Sequence, residues 1–134
     1  MKKLICLVCL FALLLTGCRG GDVSQVQMVT GQSEIFTKRE IKEAMEVAMN
    51  YFRKEFDVCT MTKIEYIEEK SAGASVEWAR QYGAEEGIVL YSSFHVDASG
   101  GDGSLNPNST YSNWQWVLIR DAGGEWVLRT WGYG

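Results

Sequence analysis

The sequence lacks an apolar run long enough to cross a membrane as a helix. Its most apolar stretch is the 12 residues from Leu4 to Leu15, whereas a spanning helix needs about 20 residues. Lys2 and Lys3 precede this stretch. A basic start followed by a short apolar segment is typical of a secretory signal, which is removed from the mature protein. The short run therefore disfavours a single-pass membrane anchor.

The apolar stretch ends in Leu15-Thr16-Gly17-Cys18, which resembles the lipobox of bacterial lipoproteins. The resemblance implies that the Cys18 sulfur receives a diacylglycerol with acyl chains such as palmitate. It also implies that residues 1–17 are cleaved off and that the protein is lipid-anchored on the extracytoplasmic face of the cell membrane. The alternative, a plain secretory signal, would need an Ala-x-Ala type of site, and none stands near residue 18.

Cysteine is scarce once the signal is removed. Cys6 and Cys9 lie within the signal and Cys18 would carry the lipid, so that Cys59 is the only thiol left. A single mature chain then cannot form an internal disulfide. Its stability must come from an apolar core.

Positive charge is scarce as well. Loss of Lys2 and Lys3 with the signal lowers the count of Lys and Arg from 13 to 11, against 17 acids, so the net charge is near −6. Such a chain offers no basic surface for nucleic acid and is poorly suited to anionic lipid surfaces. We expect attachment through the lipid, and no nucleic-acid partner.

Proline occurs once, while tryptophan occurs five times, a composition that argues against disorder. We expect residues 18–33, which comprise the lipidated cysteine and an unpatterned segment, to form a flexible tether. Residues 34–134 are expected to form one domain, since this length suits a single core.

The first helix has the strongest local signal. Thr37 is followed three residues later by Glu40, the spacing of a capping box. Apolar residues then recur at helical spacing, which predicts a helix over Lys38–Glu55. The predicted core stripe comprises Ile41, Met45, Ala48, Phe52 and Phe56.

Weaker signals follow this helix. The stretch Val58–Glu68 is rich in β-branched residues and predicts a strand. Ser75 is expected to cap a short helix that ends near Gly83. Residues 87–97 predict another strand, with Ile88, Leu90, Phe94 and Val96 on one face and Val89, Tyr91, His95 and Asp97 on the other.

The C-terminal residues predict a hairpin that turns near Ala122-Gly123. Pairing Arg120 with Glu125 divides the side chains cleanly between two faces, which a slip of one residue would mix. This register directs Gln115, Val117, Ile119, Trp126, Leu128 and Thr130 toward the main core. It leaves Trp114, Trp116, Arg129 and Trp131 on the opposite face, open to solvent or to a pocket.

The predicted fold class is α+β, with elements in the order α-β-α-β-β-β and the N-terminal helix packed on a mainly antiparallel, curved sheet. This arrangement resembles the cystatin-like or nuclear-transport-factor-2-like cone. The ending AGGEWVLRTWGYG is also similar to that of small lipoproteins of Firmicutes that carry such domains.

The aromatic face of the hairpin is the leading candidate for binding, because Trp and Arg dominate protein interfaces and stacked Trp suits sugar rings. The candidate residues are Trp114, Trp116, Arg129 and Trp131, with Tyr91 and His95 beside them. The alternative is that this face packs beneath the first helix.

Two chemical sites are weighed against simpler interpretations. The loop after residue 96 offers calcium the oxygens of Asp97, Asp102, Asn106 and Asn108, but Asp102 stands where an EF-hand requires glycine, and a solvated turn is the alternative. His95, the only histidine, and Cys59 could form a thiol–imidazole pair. The alternative is a buried thiol and a strand histidine.

The sequence therefore predicts a lipid-anchored extracytoplasmic domain that binds a protein or small ligand, with no catalysis, cofactor or resident metal. One alternative is a small cone-fold enzyme of isomerase type that uses a sheet acid or His95 as its base. The other is a cell-wall glycan binder that acts through the tryptophans.

Overall fold

The computed structural model describes residues 20–133, so the predicted signal, the lipobox-like sequence and Cys18 lie outside the described residues. The described residues have an α+β fold, with two helices and one five-stranded sheet. In chain order the elements are β1 (Gln27–Val29), α1 (Lys38–Glu55), β2 (Cys59–Glu65), α2 (Glu68–Gln81), β3 (Glu86–Val96), β4 (Thr110–Arg120) and β5 (Val127–Gly132).

The sheet is mainly antiparallel and its strands lie in the order β1-β2-β3-β4-β5. Only the pairing of β1 with β2 is parallel. Helix α1 packs on one face of the sheet over the main core, and α2 packs on the other face over Val89, Tyr91 and Val117. The described part of the chain thus forms three layers.

Residues 20–33, which the sequence predicted to be a tether, are packed against the domain. The Gly21 N–H donates to the Arg53 carbonyl at 2.9 Å, and β1 pairs with β2. Glycine permits this approach, because a Cβ at Gly21 would lie 2.4 Å from the Phe52 carbonyl oxygen. The expected flexible tether is therefore corrected for this segment, whose backbone groups find partners in the sheet and in α1.

Helix α1 has the predicted bounds and the predicted cap. The Glu40 N–H donates to Thr37 Oγ1 at 3.1 Å, and the Thr37 N–H donates to Glu40 Oε1 at 2.9 Å. All members of the predicted core stripe are buried. The amphipathic pattern therefore located both the helix and its core face.

Helix α2 begins at Glu68, seven residues before the predicted cap at Ser75. Ser75 instead lies inside the helix and faces the sheet, where it is buried together with Ser71. The Val89 N–H of β3 donates to Ser71 Oγ at 3.0 Å. The small residues let the helix lie close to the sheet, and this packing outweighs the poor helix propensity of Ser and Gly.

Two acidic residues, Glu68 and Glu86, have structural partners. The Glu68 carboxylate accepts hydrogen bonds from Ser33 Oγ, from the Tyr66 hydroxyl and from the Glu34 N–H. Glu86 is paired with Arg120. Both carboxylates thus join segments that are distant in sequence, Glu68 through hydrogen bonds and Glu86 through an ion pair.

The hairpin turns where predicted, but its register is different. The Gly124 N–H donates to the Asp121 carbonyl at 2.8 Å, and Gly123 has φ +77°. Trp116 pairs with Trp131 rather than with Arg129, and Glu125 lies outside β5. A register shift between Val117 and Leu118 marks a β-bulge, which inserts an extra residue and changes the face that follows.

The new register reverses much of the predicted division between the two faces. Trp116 and Leu118 belong to the main core under α1, whereas Val117 packs with Tyr91 under α2. The prediction that Val117 faces the main core is wrong. Trp126 was placed there correctly.

Arg120 is a buried cation that joins three elements. Its Nη2 pairs with Glu40 of α1 and lies 3.1 Å from Glu86 Oε2 of β3. Its guanidinium carbon lies 4.2 Å from the centroid of the Trp126 ring. The two carboxylates and the ring together compensate the burial of the charge.

We expect Arg120→Met to lower the free energy of unfolding by about 2–3 kcal/mol. Breaking a buried pair leaves carboxylates without their cation, and the cost is moderated here because Glu40 and Glu86 are about one-third exposed. Urea denaturation would measure the loss. Arg39→Met is the matched control, since the pair of Arg39 with Glu43 is exposed and should change stability by less than about 0.5 kcal/mol.

The free energy of unfolding of Arg120→Met should depend less on pH in the acidic range than that of the unmodified protein. The Thr37 backbone N–H, followed by Arg120, lowers the pKa of Glu40 below its ordinary value of 4.5. A lowered folded-state pKa contributes stability that is present above the ordinary value and is lost as the pH falls through the folded value. Arg120→Met removes part of that contribution, so its stability should decline less steeply below pH 4.5. An equal decline in both proteins would contradict the pairing.

Candidate functional site

The tryptophans proposed for binding divide between core and surface. Trp116 is 0% exposed, and its Nε1–H donates to Ser92 Oγ at 2.8 Å. Trp131, opposite it on β5, is 39% exposed. Trp114 is partly buried beside Phe56 and Phe94. Trp116 is therefore a core residue, and its expected exposure is corrected.

The other three predicted binding residues lie away from these tryptophans. Tyr91 is buried on the α2 side, with Lys70 Nζ 4.1 Å from its ring centroid. Arg129 lies over the ring of Tyr82, the residue directly after α2, at 5.6 Å. His95 is exposed, with Nδ1 3.2 Å from Thr110 Oγ1. The structure does not bring the six residues together.

A cavity of about 830 Å³ lies where the end of α1, the loop after β3 and the paired ends of β4 and β5 meet. We call it the terminal pocket. Its aromatic wall consists of Tyr51, Phe56, Trp114 and Trp131, and its acidic rim consists of Glu55, Asp57, Asp97 and Asp102. Gly20, where the described chain begins, also lines it.

The aromatic wall is continuous. The Tyr51 ring lies 4.4 Å from the Trp131 ring and 6.4 Å from the Phe56 ring, and Phe56 lies 6.0 Å from Trp114. These centroid distances are typical of aromatic pairs in contact. Helix α1 holds Tyr51 against the strand residue Trp131, so the wall rests on regular elements and not on the loop.

The acidic rim acts on groups inside the pocket. Burial, followed by the negative charges of Asp97, Asp57 and Asp102, raises the pKa of the Cys59 thiol to about 11. Burial and then Glu55 raise the pKa of the Tyr51 hydroxyl. Each of the four carboxylates thus disfavours further negative charge in or beside the pocket.

Cys59 and His95 do not form the thiol–imidazole pair considered from the sequence. Cys59 is buried in the main core, whereas His95 is exposed and pairs across the strands with Thr60 and Thr110. A raised pKa keeps the thiol protonated at neutral pH, and the thiolate is the nucleophilic form. This corresponds to the simpler alternative of a buried thiol and a strand histidine.

Trp114 presents a polar group without a partner. Its Nε1 is buried, and within residues 20–133 it has no hydrogen-bond partner. Buried donors are normally paired, and leaving one unpaired costs free energy. Trp114 also lines the terminal pocket, although its Nε1 itself has almost no accessible surface.

Two of the four donors considered for calcium, Asp97 and Asp102, are used within their own loop. The Asp97 carboxylate accepts from the N–H and the hydroxyl of Ser99, and Asp102 does the same with Ser104. These hydrogen bonds lower the pKa of both carboxyls. In the part of the chain that the structure describes, no three His, Cys, Asp or Glu side chains group as metal ligands.

Sequence reasoning missed the contribution of α1 to the pocket. Tyr51, Glu55 and Asp57 lie at or just beyond the last turn of the helix, and none of them belongs to the predicted core stripe. One available signal was the aromatic density of the stretch from Tyr51 to Phe56, which exceeds what a single buried stripe requires.

Comparison with known proteins gives no assignment, because no family model, curated protein or solved structure matches the chain. Neither helix of the described part combines the length and apolar character needed to span a membrane.

Proposed function

We propose that this protein is a lipid-anchored, extracytoplasmic binding domain whose ligand occupies the terminal pocket. The observation that carries the proposal is the pocket itself. Its volume of about 830 Å³ is within the range of small-molecule sites, which are typically apolar and aromatic with a few polar groups. The acidic rim supplies such polar groups.

The lipid anchor would hold the pocket near the membrane. The lipobox assigns the acyl chains to Cys18, and Gly20, two residues later, lines the pocket. Two residues of chain span at most about 7 Å. Since the following residues pack against α1 and β2, the domain would stay close to the lipid headgroups, and ligands would enter near the membrane surface.

We further propose that α1 and the sheet form a cone of the cystatin-like or nuclear-transport-factor-2-like kind. Register shifts occur in the β2–β3, β3–β4 and β4–β5 pairings, and bulges bend strands and increase their twist. The packing of α2 on the opposite face is a departure from a simple helix-and-sheet cone.

A glycan is the second candidate ligand. Trp131 is 39% exposed and packs 4.4 Å from Tyr51, which leaves an aromatic surface suited to a sugar ring. This alternative needs the same residues as the first, so one experiment examines both.

The full-length protein in detergent should bind members of a small set of ring-containing neutral, cationic and anionic compounds, including monosaccharides, as measured by tryptophan fluorescence and thermal shift. We expect Trp131→Ala to weaken the best binder at least about tenfold, since stacking on a tryptophan contributes strongly to recognition. Trp78→Ala is the matched control, because Trp78 lies on the α2 side of the sheet. Equal loss in both variants, or no binding by any compound, would contradict a site in the terminal pocket.

A further inference from the structure

The terminal pocket carries charge of one sign. Four of its lining residues, Glu55, Asp57, Asp97 and Asp102, bear carboxylates, and within the described chain no Lys, Arg or His lines it. All four residues are exposed at the rim. A cleft lined by one sign of charge beside apolar walls raises the local concentration of ions of opposite charge.

The aromatic wall faces the same space. Tyr51, Trp131 and Trp114 are lining residues, and the faces of Trp and Tyr rings attract cations. An ammonium group in the pocket would therefore lie between aromatic side chains and carboxylates. Neutral ligands gain from the rings alone, and anions are repelled by the rim.

We propose that the terminal pocket selects a small organic ammonium ion with an apolar body, an inference that rests on the binding function proposed above. The carboxylates do not gather as metal ligands within residues 20–133, so their charge acts as a diffuse field and not as a chelating site. A diffuse field beside ring faces suits a bulky cation, whose charge is spread and weakly hydrated.

The test compares choline with 3,3-dimethylbutan-1-ol, which has the same shape and hydroxyl but no charge. Both are titrated against the full-length protein in detergent, with tryptophan fluorescence and NMR as readouts. We expect choline to bind about tenfold more tightly, since cation–π contacts and the field of the acidic rim both favour it. Raising the salt concentration should weaken choline alone, because exposed carboxylates are screened.

Charge-removing variants assign the selectivity to the rim. The double variant Glu55→Gln with Asp57→Asn should weaken choline about fivefold and leave the neutral alcohol unchanged. Asp121→Asn is the matched control, because Asp121 lies in the β4–β5 turn, at the other end of β4 from Trp114. Equal weakening by Asp121→Asn would overturn the assignment to the rim.

Phosphocholine separates a free ammonium ion from a lipid headgroup, since it adds the phosphate of the headgroup. We expect it to bind more weakly than choline, because the phosphate meets the acidic rim. Tighter binding of phosphocholine would overturn selection of a free cation.

If the alcohol and choline bind equally and Trp131→Ala weakens both, the cation inference fails while the binding function stands. If Trp131→Ala weakens neither compound, the pocket assignment itself fails.

Discussion

Replacing Trp116 by alanine is expected to lower the free energy of unfolding by about 3–5 kcal/mol, the usual cost of removing a large aromatic side chain from a core. Trp116 is fully buried, and its ring lies 5.4 Å from Phe56 and 6.4 Å from Phe52. The substitution also removes the donor that pairs with the buried Ser92 hydroxyl. Chemical denaturation followed by circular dichroism would measure the change.

The matched control is Trp131→Ala, on the neighbouring strand. Trp131 is 39% exposed, so the change should cost about 1 kcal/mol, in proportion to the smaller apolar area that it buries. The pair of variants separates the observed register from the one expected by strict alternation. A near-neutral Trp116→Ala, combined with a strongly destabilising Val117→Ala, would support the alternative register.

Replacing Cys18 by alanine is expected to abolish lipidation. The lipobox implies that the thiol is the acylation site, and each buried methylene contributes about 0.8 kcal/mol, so that loss of two or three chains removes the attachment. Fractionation of cells and labelling with palmitate would both report the change. We expect the variant to lose the label and to accumulate as uncleaved or released protein.

Cys59→Ala is the control for this experiment, since Cys59 is buried in the core. It should keep both the label and the membrane fraction. If Cys18→Ala still incorporates palmitate and still partitions into detergent, the lipoprotein assignment is wrong. In that case the domain would not be attached to the membrane through Cys18.

The helix α1 could be predicted in full because its signals are local. The reciprocal hydrogen bonds of Thr37 and Glu40 join residues three apart, and the buried stripe follows from helical periodicity alone. The location of the hairpin turn was predictable for the same reason, since a β-turn comprises four consecutive residues and glycine is favoured within it.

The pairing register could not be predicted in this way. Register shifts between Met61 and Lys63, between Ser92 and Phe94, and between Val117 and Leu118 each move the later side chains relative to a strict alternation. Such bulges are stabilised by contacts between distant segments, such as the Trp116 bond to Ser92. The alternation of apolar and polar residues within one strand does not indicate which residues of the neighbouring strand it pairs with.

The candidate site was only partly predictable for a related reason. The aromatic residues of the hairpin were identified, and Trp114 and Trp131 do line the terminal pocket. Their companions Tyr51 and Phe56 come from α1, more than 50 residues earlier in the chain. The pocket exists only because α1 ends over these strands, and its acidic rim gathers residues from the end of α1 and from the two loops that follow α1 and β3.

The most direct test of the binding site is an NMR titration that follows the indole N–H signals of the five tryptophans as choline is added to the full-length protein in detergent. The account predicts that the signals of Trp114 and Trp131 shift together with one affinity, because both line the terminal pocket. Trp78, under α2, and Trp126, beside Arg120, should be unaffected. Shifts confined to Trp78 or Trp126, or no shift at saturating choline, would contradict it.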